Sequence, residues 1–319
     1  MSRWSLSLTD VPAPAAAIEI AATHVSAATL TTRGARSIVT AAAIEALPAG
    51  AVVPSLTSSN LKDGAAVRAA LQRVLEKVGR PRRAGLVVPD PVAKVSLIRF
   101  QQIPARAQEL DQLIRFQLKK AAPFALDEAQ ISYVPGYRAP DGIDYLVSLA
   151  RTDVVREYES CCDDLGVQTG IVDIQTFNVV NAGLVLGRRP LADWLLVNVA
   201  PDWASVVVGR GDDMILYRSR TADAEGTLVD LVHQTSMYYE DRLSGTGFER
   251  VLMHGTTTGT AQASDFDRLR AELSERLGTA VDVVDPRALV EINETATASR
   301  SAELSALVGL LLRDKQVAA

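Results

Sequence analysis

Short runs of β-branched and small apolar residues open the chain. "AAAIEIA", "HVSAATLTT" and "SIVTAAAI", separated by turn residues such as "RGAR", predict a β-meander over residues 15–55. The period then changes. In "LKDGAAVRAALQRVLEKVGR", Val67, Ala70, Leu71, Val74, Leu75 and Val78 recur at the spacing of one helix face, and Gly79 and Pro81 supply the stop. "AGLVVPDP" reads as a short buried strand ending at a turn, and "KVSLIRFQQIP" as another strand. "ARAQELDQLIRFQLKKAAPF" carries Leu110, Leu113, Ile114, Leu118 and Ala121 on one helical face. The strands "AQISYVPGYR" and "DYLVSLAR" follow, joined by "APDG". "TDVVREYESCCDDLG" is then a helix with Thr152 as its expected N-cap. Residues 95–165 thus predict a strand, helix, strand, strand, helix unit.

"QTGIVDIQTFNVVNAGLVLG" returns to a buried strand and an apolar helix, and "RRPLAD" reads as a link into a second half. That half opens on strand, loop, strand, turn and strand in "DWLLVNVAPDWASVVVGRGDDMILYRSR". It continues with the helix "GTLVDLVHQTSMYYEDRL", the strand "ERVLMHG", the helix "DFDRLRAELSERLG", the strand "AVDVVD" and the helix "AELSALVGLLLR". Both halves therefore begin with a hairpin around a polar loop and end in helices, a duplicated α/β pattern.

Composition narrows the function classes. A chain of 319 residues exceeds what one core usually holds, so two units are expected. Hydrophobic residues at 48% and charged residues at 22% are globular composition. A formal net charge of -5 provides no basic footprint for nucleic acid. No apolar run reaches the ~18 residues of a membrane span, and "MSRWSLSLTDVPAPAAAIEI" lacks the apolar stretch of a signal peptide. The two cysteines, Cys161 and Cys162, are adjacent, which suits neither a disulfide nor a zinc pair and fits reduced thiols on a helix in the cytoplasm.

The order of elements resembles the actin-like ATPase superfamily, whose two α/β halves each open with a phosphate-loop hairpin around a nucleotide cleft. Within it the chain resembles the PilM family, FtsA-like proteins of type IV pilus assembly. The residues that carry the resemblance are "LVVPDPVAKVSLIRFQQIPARAQELDQLIRFQLKKAAPFALDEAQISY", "GIVDIQTFNVVNA" and "ELSALVGLLLR". The resemblance implies a first half over residues 1–188, a second over 189–319 with the division near Arg188 to Pro190, and residues 95–165 as the inserted subdomain.

It also implies candidate sites. For a nucleotide they are Glu19, Thr23, Ser26, Asn198 and Gly255, and these depart from the family pattern. Glu19 stands for Asp, Ala21 for Gly and Ser26 for Lys in the first loop. Asn198 stands for Asp and Ala200 for Gly in the second. A phosphate loop needs small residues so that backbone N–H groups reach phosphate oxygens; Ala21 and Ala200 add methyls, Pro201 removes a donor and Trp203 adds bulk. Asn198 brings no charge to a Mg²⁺ site and Glu19 is a methylene too long. The expectation is a degenerate cleft with no cofactor, ATP with Mg²⁺ being the disfavoured alternative.

For partners, the resemblance implies an adaptor that docks the cytoplasmic tail of a PilN-like inner-membrane protein, together with other pilus assembly proteins. The expected groove residues are Leu97, Arg99, Arg115, Phe116, Lys119 and Lys120, with Phe116 as an anchor. Such a protein would be cytoplasmic and peripheral to the inner membrane. Two other readings stand beside it: an actin-like ATPase or kinase, and the cytoplasmic part of a GspL-like type II secretion protein. In the latter family the chain continues into a membrane helix, whereas this one ends at "LLLRDKQVAA". His24 and His254 fall in candidate cleft loops but lack metal-ligand spacing, as does His233, and are expected to be plain loop residues. "GTTTGT" (255–260) has no P-loop lysine and reads as a turn, as does "GRGDDM".

Overall fold

Every residue of the first strand, β1 (Ala16–Ile20), is buried, the mark of a strand covered on both faces. The structure, a computed structural model, describes residues 14–33, 36–185, 192–255, 260–292 and 302–313. Around β1 stand β2 (His24–Arg33), β3 (Arg36–Ala46), β4 (Arg83–Val88), β8 (Gln168–Ile174) and β14 (Glu291–Ile292), in the order β14-β3-β2-β1-β4-β8. β1, β2 and β3 run antiparallel, while β4 and β8 continue parallel to β1.

The second sheet repeats this plan. β9 (Asp193–Val199), β10 (Trp203–Arg210) and β11 (Asp213–Thr221) form an antiparallel meander, and β12 (Arg250–Gly255) and β13 (Val281–Val283) add parallel strands beside β9. The expected duplication is thus present in the sheets. The proposed dividing residues Arg188 to Pro190 lie outside the described residues.

Helices α1 (Gly64–Lys77) and α3 (Thr152–Asp163) cover the outer face of the first sheet. Val67, Ala70, Leu71, Val74 and Leu75 of α1 are buried there, as its apolar stripe predicts; each fully buried Val or Leu stabilises the layer by about 1.5–3 kcal/mol. Thr152 is the first helical residue of α3 and not its cap, because the strand β7 (Gly142–Arg151) runs directly into the helix and leaves Arg151 at the cap position. Cys161 and Cys162 are both free and buried on α3. Burial pushes both thiols up, Cys161 to about 11, which keeps them protonated and unreactive. α5 (Leu228–Leu243) and α6 (Thr260–Leu277) cover the outer face of the second sheet.

One core layer is shared. α4 (Gln175–Val185) and α7 (Ser305–Leu311) pack against each other between the sheets, with Ala17 and Val87 of the first and Trp194, Leu196, Val207 and Leu252 of the second. The strands assigned to an insertion form a sheet of their own, β5 (Ala93–Phe100), β7 and β6 (Ala129–Ala139), in the order β5-β7-β6. α2 (Ala107–Leu118) covers one of its faces, burying Ile114 and Leu118 against Phe100, Tyr145, Val147 and Leu149. Among the described residues no helix is long and apolar enough to cross a membrane.

The approach of α7 to α4 sets a sharp packing requirement at Gly309. A β-carbon there would overlap the main-chain carbonyl of Asn178, and main-chain atoms cannot turn aside as a side chain can. Gly309→Ala is expected to destabilise the protein by about 3 kcal/mol, the upper end of the overpacking range, in equilibrium urea unfolding. A midpoint equal to that of the wild type would contradict the close contact.

Candidate functional site

The two opening hairpins meet where the sheets face each other. In the first, Glu19 pairs with Ser26 across β1 and β2; in the second, Asn198 pairs with Ser205 across β9 and β10. The positions are equivalent in the two halves. Each hairpin closes tightly: Ala21 N–H donates to the carbonyl of His24, and Ala200 N–H to that of Trp203, both at 2.9 Å. These two donors are therefore spent inside the turns.

A continuous chain of buried polar side chains links the halves. Glu19 is 1% exposed. It accepts from Ser26 Oγ (3.4 Å) and from Gln175 Nε2 (2.5 Å) at the start of α4. Asn198 Nδ2 donates to Gln175 Oε1 (3.1 Å) and to Thr176 Oγ1 (2.7 Å). Asn198 Oδ1 lies 2.7 Å from His254 Nδ1, and His254 Nε2 lies 3.0 Å from the carbonyl of Ala302. Burial pushes the His254 imidazole below its ordinary pKa, against the pull of the Ala302 carbonyl and the Glu19 carboxylate. At the other end His24 Nε2 sits 3.8 Å from Glu19 Oε2 without a hydrogen bond, and His24 Nδ1 contacts Thr23 Oγ1 at 3.1 Å. Between the two hairpin turns and Gln175 the free space is about 10 Å³, close to the minimum for a single water.

A second buried carboxylate reinforces the seam. Asp90 follows β4 on a short 3-10 turn and is 1% exposed. It accepts from the backbone N–H of Thr176 (2.9 Å) at the N-terminus of α4, from Ser205 Oγ (2.5 Å) and from Tyr217 OH (2.8 Å) on β11. Burial raises its pKa, while those donors and the helix end favour the charge.

The sequence-derived nucleotide residues are thus partly brought together. Glu19, Ser26 and Asn198 belong to the chain, and Thr23 adjoins it through His24. Gly255 stands at the end of β12, where a β-carbon would press on the ring of Phe266 from α6; of "GTTTGT", residues 256–259 lie outside the described residues. Two expectations need correcting. His24 and His254 are not loop residues: both lie in strands and are fully buried, because the facing hairpins and α4 close over them. Asp90, Gln175, Thr176 and Tyr217 drew no attention in the sequence, although the Asp between two prolines at the end of a buried strand, and the polar "QT" opening an apolar helix, were visible signals. Among the described residues no group of three or more His, Cys, Asp or Glu could hold a metal.

The residues expected to form a partner groove are dispersed. Phe116 is 69% exposed on α2, and Lys119 and Lys120 are exposed beyond it. Arg115 is paired with Asp111, and Arg99 with Asp144 and Asp141. Leu97 pairs with Leu146, which places it on the sheet face opposite α2. An open groove of about 310 Å³ does run along that opposite face. Ser132, Val134, Leu146 and Ser148 of β6 and β7 form one wall, and β8 and α4 form the other; none of the six expected residues lines it.

The family model for "Type IV pilus assembly protein PilM" matches residues 17–199. Among solved structures, the chain is similar to one from a PilM-PilN type IV pilus biogenesis complex, at 18% identity and a TM-score of 0.75, covering 94% of this chain and 98% of that one. It also matches a Bacteroides thetaiotaomicron protein with an actin-like ATPase fold (11% identity, TM-score 0.49, 92% and 94% covered). A further match is the cytoplasmic domain of EpsL, an inner membrane component of the type II secretion system of Vibrio cholerae (10% identity, TM-score 0.48, 95% and 94% covered).

The seam geometry sets an order of mutational costs. Asp90→Ala strips partners from a helix N–H and two hydroxyls at once, and is expected to destabilise the protein by at least about 3 kcal/mol. Tyr217→Phe removes one of three donors and should cost about 1 kcal/mol. Urea unfolding of the two variants checks the order; equal costs would refute the central role given to Asp90.

Proposed function

The chain belongs to the PilM family of type IV pilus assembly proteins, and on that premise we propose that it is an adaptor holding the cytoplasmic tail of a PilN-like inner-membrane protein. The fold is actin-like, two duplicated α/β halves with a third sheet set in the first. The observation that carries the proposal is the 310 Å³ groove between that third sheet and β8 with α4, with Trp194 and Asp213 of the second sheet also lining it. Its walls mix apolar residues such as Val134, Leu146 and Phe177 with the hydroxyls of Ser132 and Ser148. That is the make-up of a site for a short peptide, with apolar contacts for affinity and few polar ones for register. The match to a protein from a PilM-PilN complex supports the identity of the tail. In this reading the protein works at the cytoplasmic face of the inner membrane and reaches it through its partner.

The companion proposal is that the cleft between the halves is a degenerate nucleotide site. Its support is the side-chain chain from Glu19 to His254 and the roughly 10 Å³ left beside it. A phosphate group placed between the two hairpin turns and Gln175 would exceed the space there and would strand Glu19 without the Gln175 donor.

Two experiments test these readings. In a calorimetric titration with MgATP the protein is expected to show no saturable heat and no phosphate release above background; micromolar affinity with turnover would overturn the degenerate-cleft proposal. For the adaptor, a fluorescein-labelled peptide of the PilN-like partner's cytoplasmic tail is expected to bind saturably. Ser132→Arg, which fills the groove, should weaken it at least about thirtyfold, the cost of losing a central contact. Phe116→Ala, on the far side of the sheet, should bind as the wild type does. No binding to the wild type would end the adaptor reading.

A further inference from the structure

We propose that the polar seam from Glu19 to His254 keeps one proton that the same residues release at pH 8 when the protein is unfolded, so that joining the two halves takes a proton from solution. The donors and acceptors along the seam require it. Thr176 gives both its backbone N–H and its hydroxyl to the Asp90 carboxylate. Its oxygen is then left to accept, and Asn198 Nδ2 supplies the hydrogen at 2.7 Å. That turns Asn198 Oδ1 toward His254 Nδ1, 2.7 Å away, and an amide oxygen can only accept. The other ring nitrogen, Nε2, faces the Ala302 carbonyl at 3.0 Å, again an acceptor alone. A neutral imidazole has one N–H for these two oxygens; an imidazolium has one for each.

Two arrangements satisfy every partner, and both hold the same single proton. In the first, His254 is an imidazolium, and Glu19 is an ionised carboxylate that receives Gln175 Nε2–H and the Ser26 hydroxyl. In the second, both carboxamides are turned over. Asn198 then donates to Nδ1 of a neutral His254 and accepts from Gln175 and Thr176, while Asp90 keeps the Thr176 N–H, Ser205 and Tyr217. Gln175 now turns its oxygen to Glu19, which has to be a carboxylic acid to donate to it; their 2.5 Å separation lies in the range of an O–H···O contact. Burial disfavours the imidazolium, and the second arrangement answers that by placing the proton on Glu19, not by losing it. The two groups therefore titrate as a pair. With no proton at either end, two acceptors face each other in a buried site, at the cost of an unpaired polar group. The other titratable groups around the seam are Asp90, which is reached through Thr176, Asp202 in the second hairpin turn, and Glu303, buried beside Ala302. As carboxylates they add negative charge and favour keeping the proton. His24 is the competing base, but its Nε2 stands 3.8 Å from Glu19 Oε2 and makes no hydrogen bond.

In an unfolded chain His loses its proton near ~6.5 and Glu near ~4.3, so at pH 8 both residues are bare. The folded protein then holds one proton more than the unfolded one. Its folded-to-unfolded ratio is expected to fall about tenfold per pH unit as pH rises from 7 to 9, and this dependence ends below ~6.5, where the unfolded His254 is protonated as well. Glu19→Gln supplies an N–H where the carboxylic acid would supply its O–H, so the second arrangement then needs no proton. In urea unfolding across that pH range, Glu19→Gln should lose the tenfold-per-unit dependence and be more stable than the wild type at pH 9. His24→Asn should keep the dependence. Groups that titrate elsewhere in the protein are common to all three and cancel in the comparison. A Glu19→Gln protein with the wild-type dependence overturns the proposal, and so does a His24→Asn protein without it, which would assign the proton to His24. A second measurement needs no variant. In wild-type protein at pH 8, with histidine ring nitrogens and glutamate carboxyl carbons labelled for NMR, the expected result is either two N–H groups on His254 or a protonated Glu19. A neutral His254 beside an ionised Glu19 overturns the proposal.

Discussion

Two buried carboxylates, Glu19 and Asp90, hold this architecture to one arrangement. Both lie on the first sheet's side of the molecule, and much of what satisfies them comes from elsewhere. Asp90 takes hydroxyl hydrogen bonds from Ser205 and Tyr217 of the second sheet and an N–H from α4. Glu19 takes the carboxamide of Gln175, which in turn is met by Asn198. A buried charge without donors costs several kcal/mol, more than most single contacts return. Parting the sheets would expose that cost at two points together, so the polar seam adds to the apolar layer around α4 and α7 in favouring the closed body.

The duplication explains why the seam is nearly symmetric in place and asymmetric in chemistry. Glu19 and Asn198 occupy matching positions one residue before the end of their strands, and Ser26 and Ser205 sit opposite them. Two carboxylates facing each other here would repel. One carboxylate and one carboxamide can instead be joined by Gln175, which donates to the first and accepts from the second. The two hairpins are turned toward each other's side chains. Ala21 and Ala200 already spend their N–H groups within their own turns.

A body closed in this way suits a role as a fixed surface. The third sheet divides its faces: α2 seals one, and the other looks across the groove to β8 and α4. The groove's walls come from both halves, since Trp194 and Asp213 of the second sheet reach it beside Ile171 and Asp173 of the first. Whatever fixes the halves together therefore also fixes the groove's width. The seam and the groove are thereby linked, because the side chains that join the halves also set the distance between the groove's walls.

The periodicity of apolar residues by itself determined most of the elements. The α1 stripe, the hairpin pairs and the strand-rich insertion all follow from local patterns of period 3.6 or 2, which depend on near neighbours in sequence. The departures at Glu19, Ala21, Asn198 and Ala200 were legible only against the family pattern that the resemblance supplied. Residue pairings across the fold were not. Glu19 meets Gln175 from 156 positions away, and Asp90 meets Tyr217 from 127. His24 and His254 read as loop residues because nothing near them in sequence shows that strands and α4 will bury them. The residues expected to form a groove are dispersed because the sequence shows which helix face is apolar, but not which face of a sheet that helix will cover. Only tertiary structure decides which sheet face is left open and which strand is left at an edge, because both depend on the order in which distant strands pair.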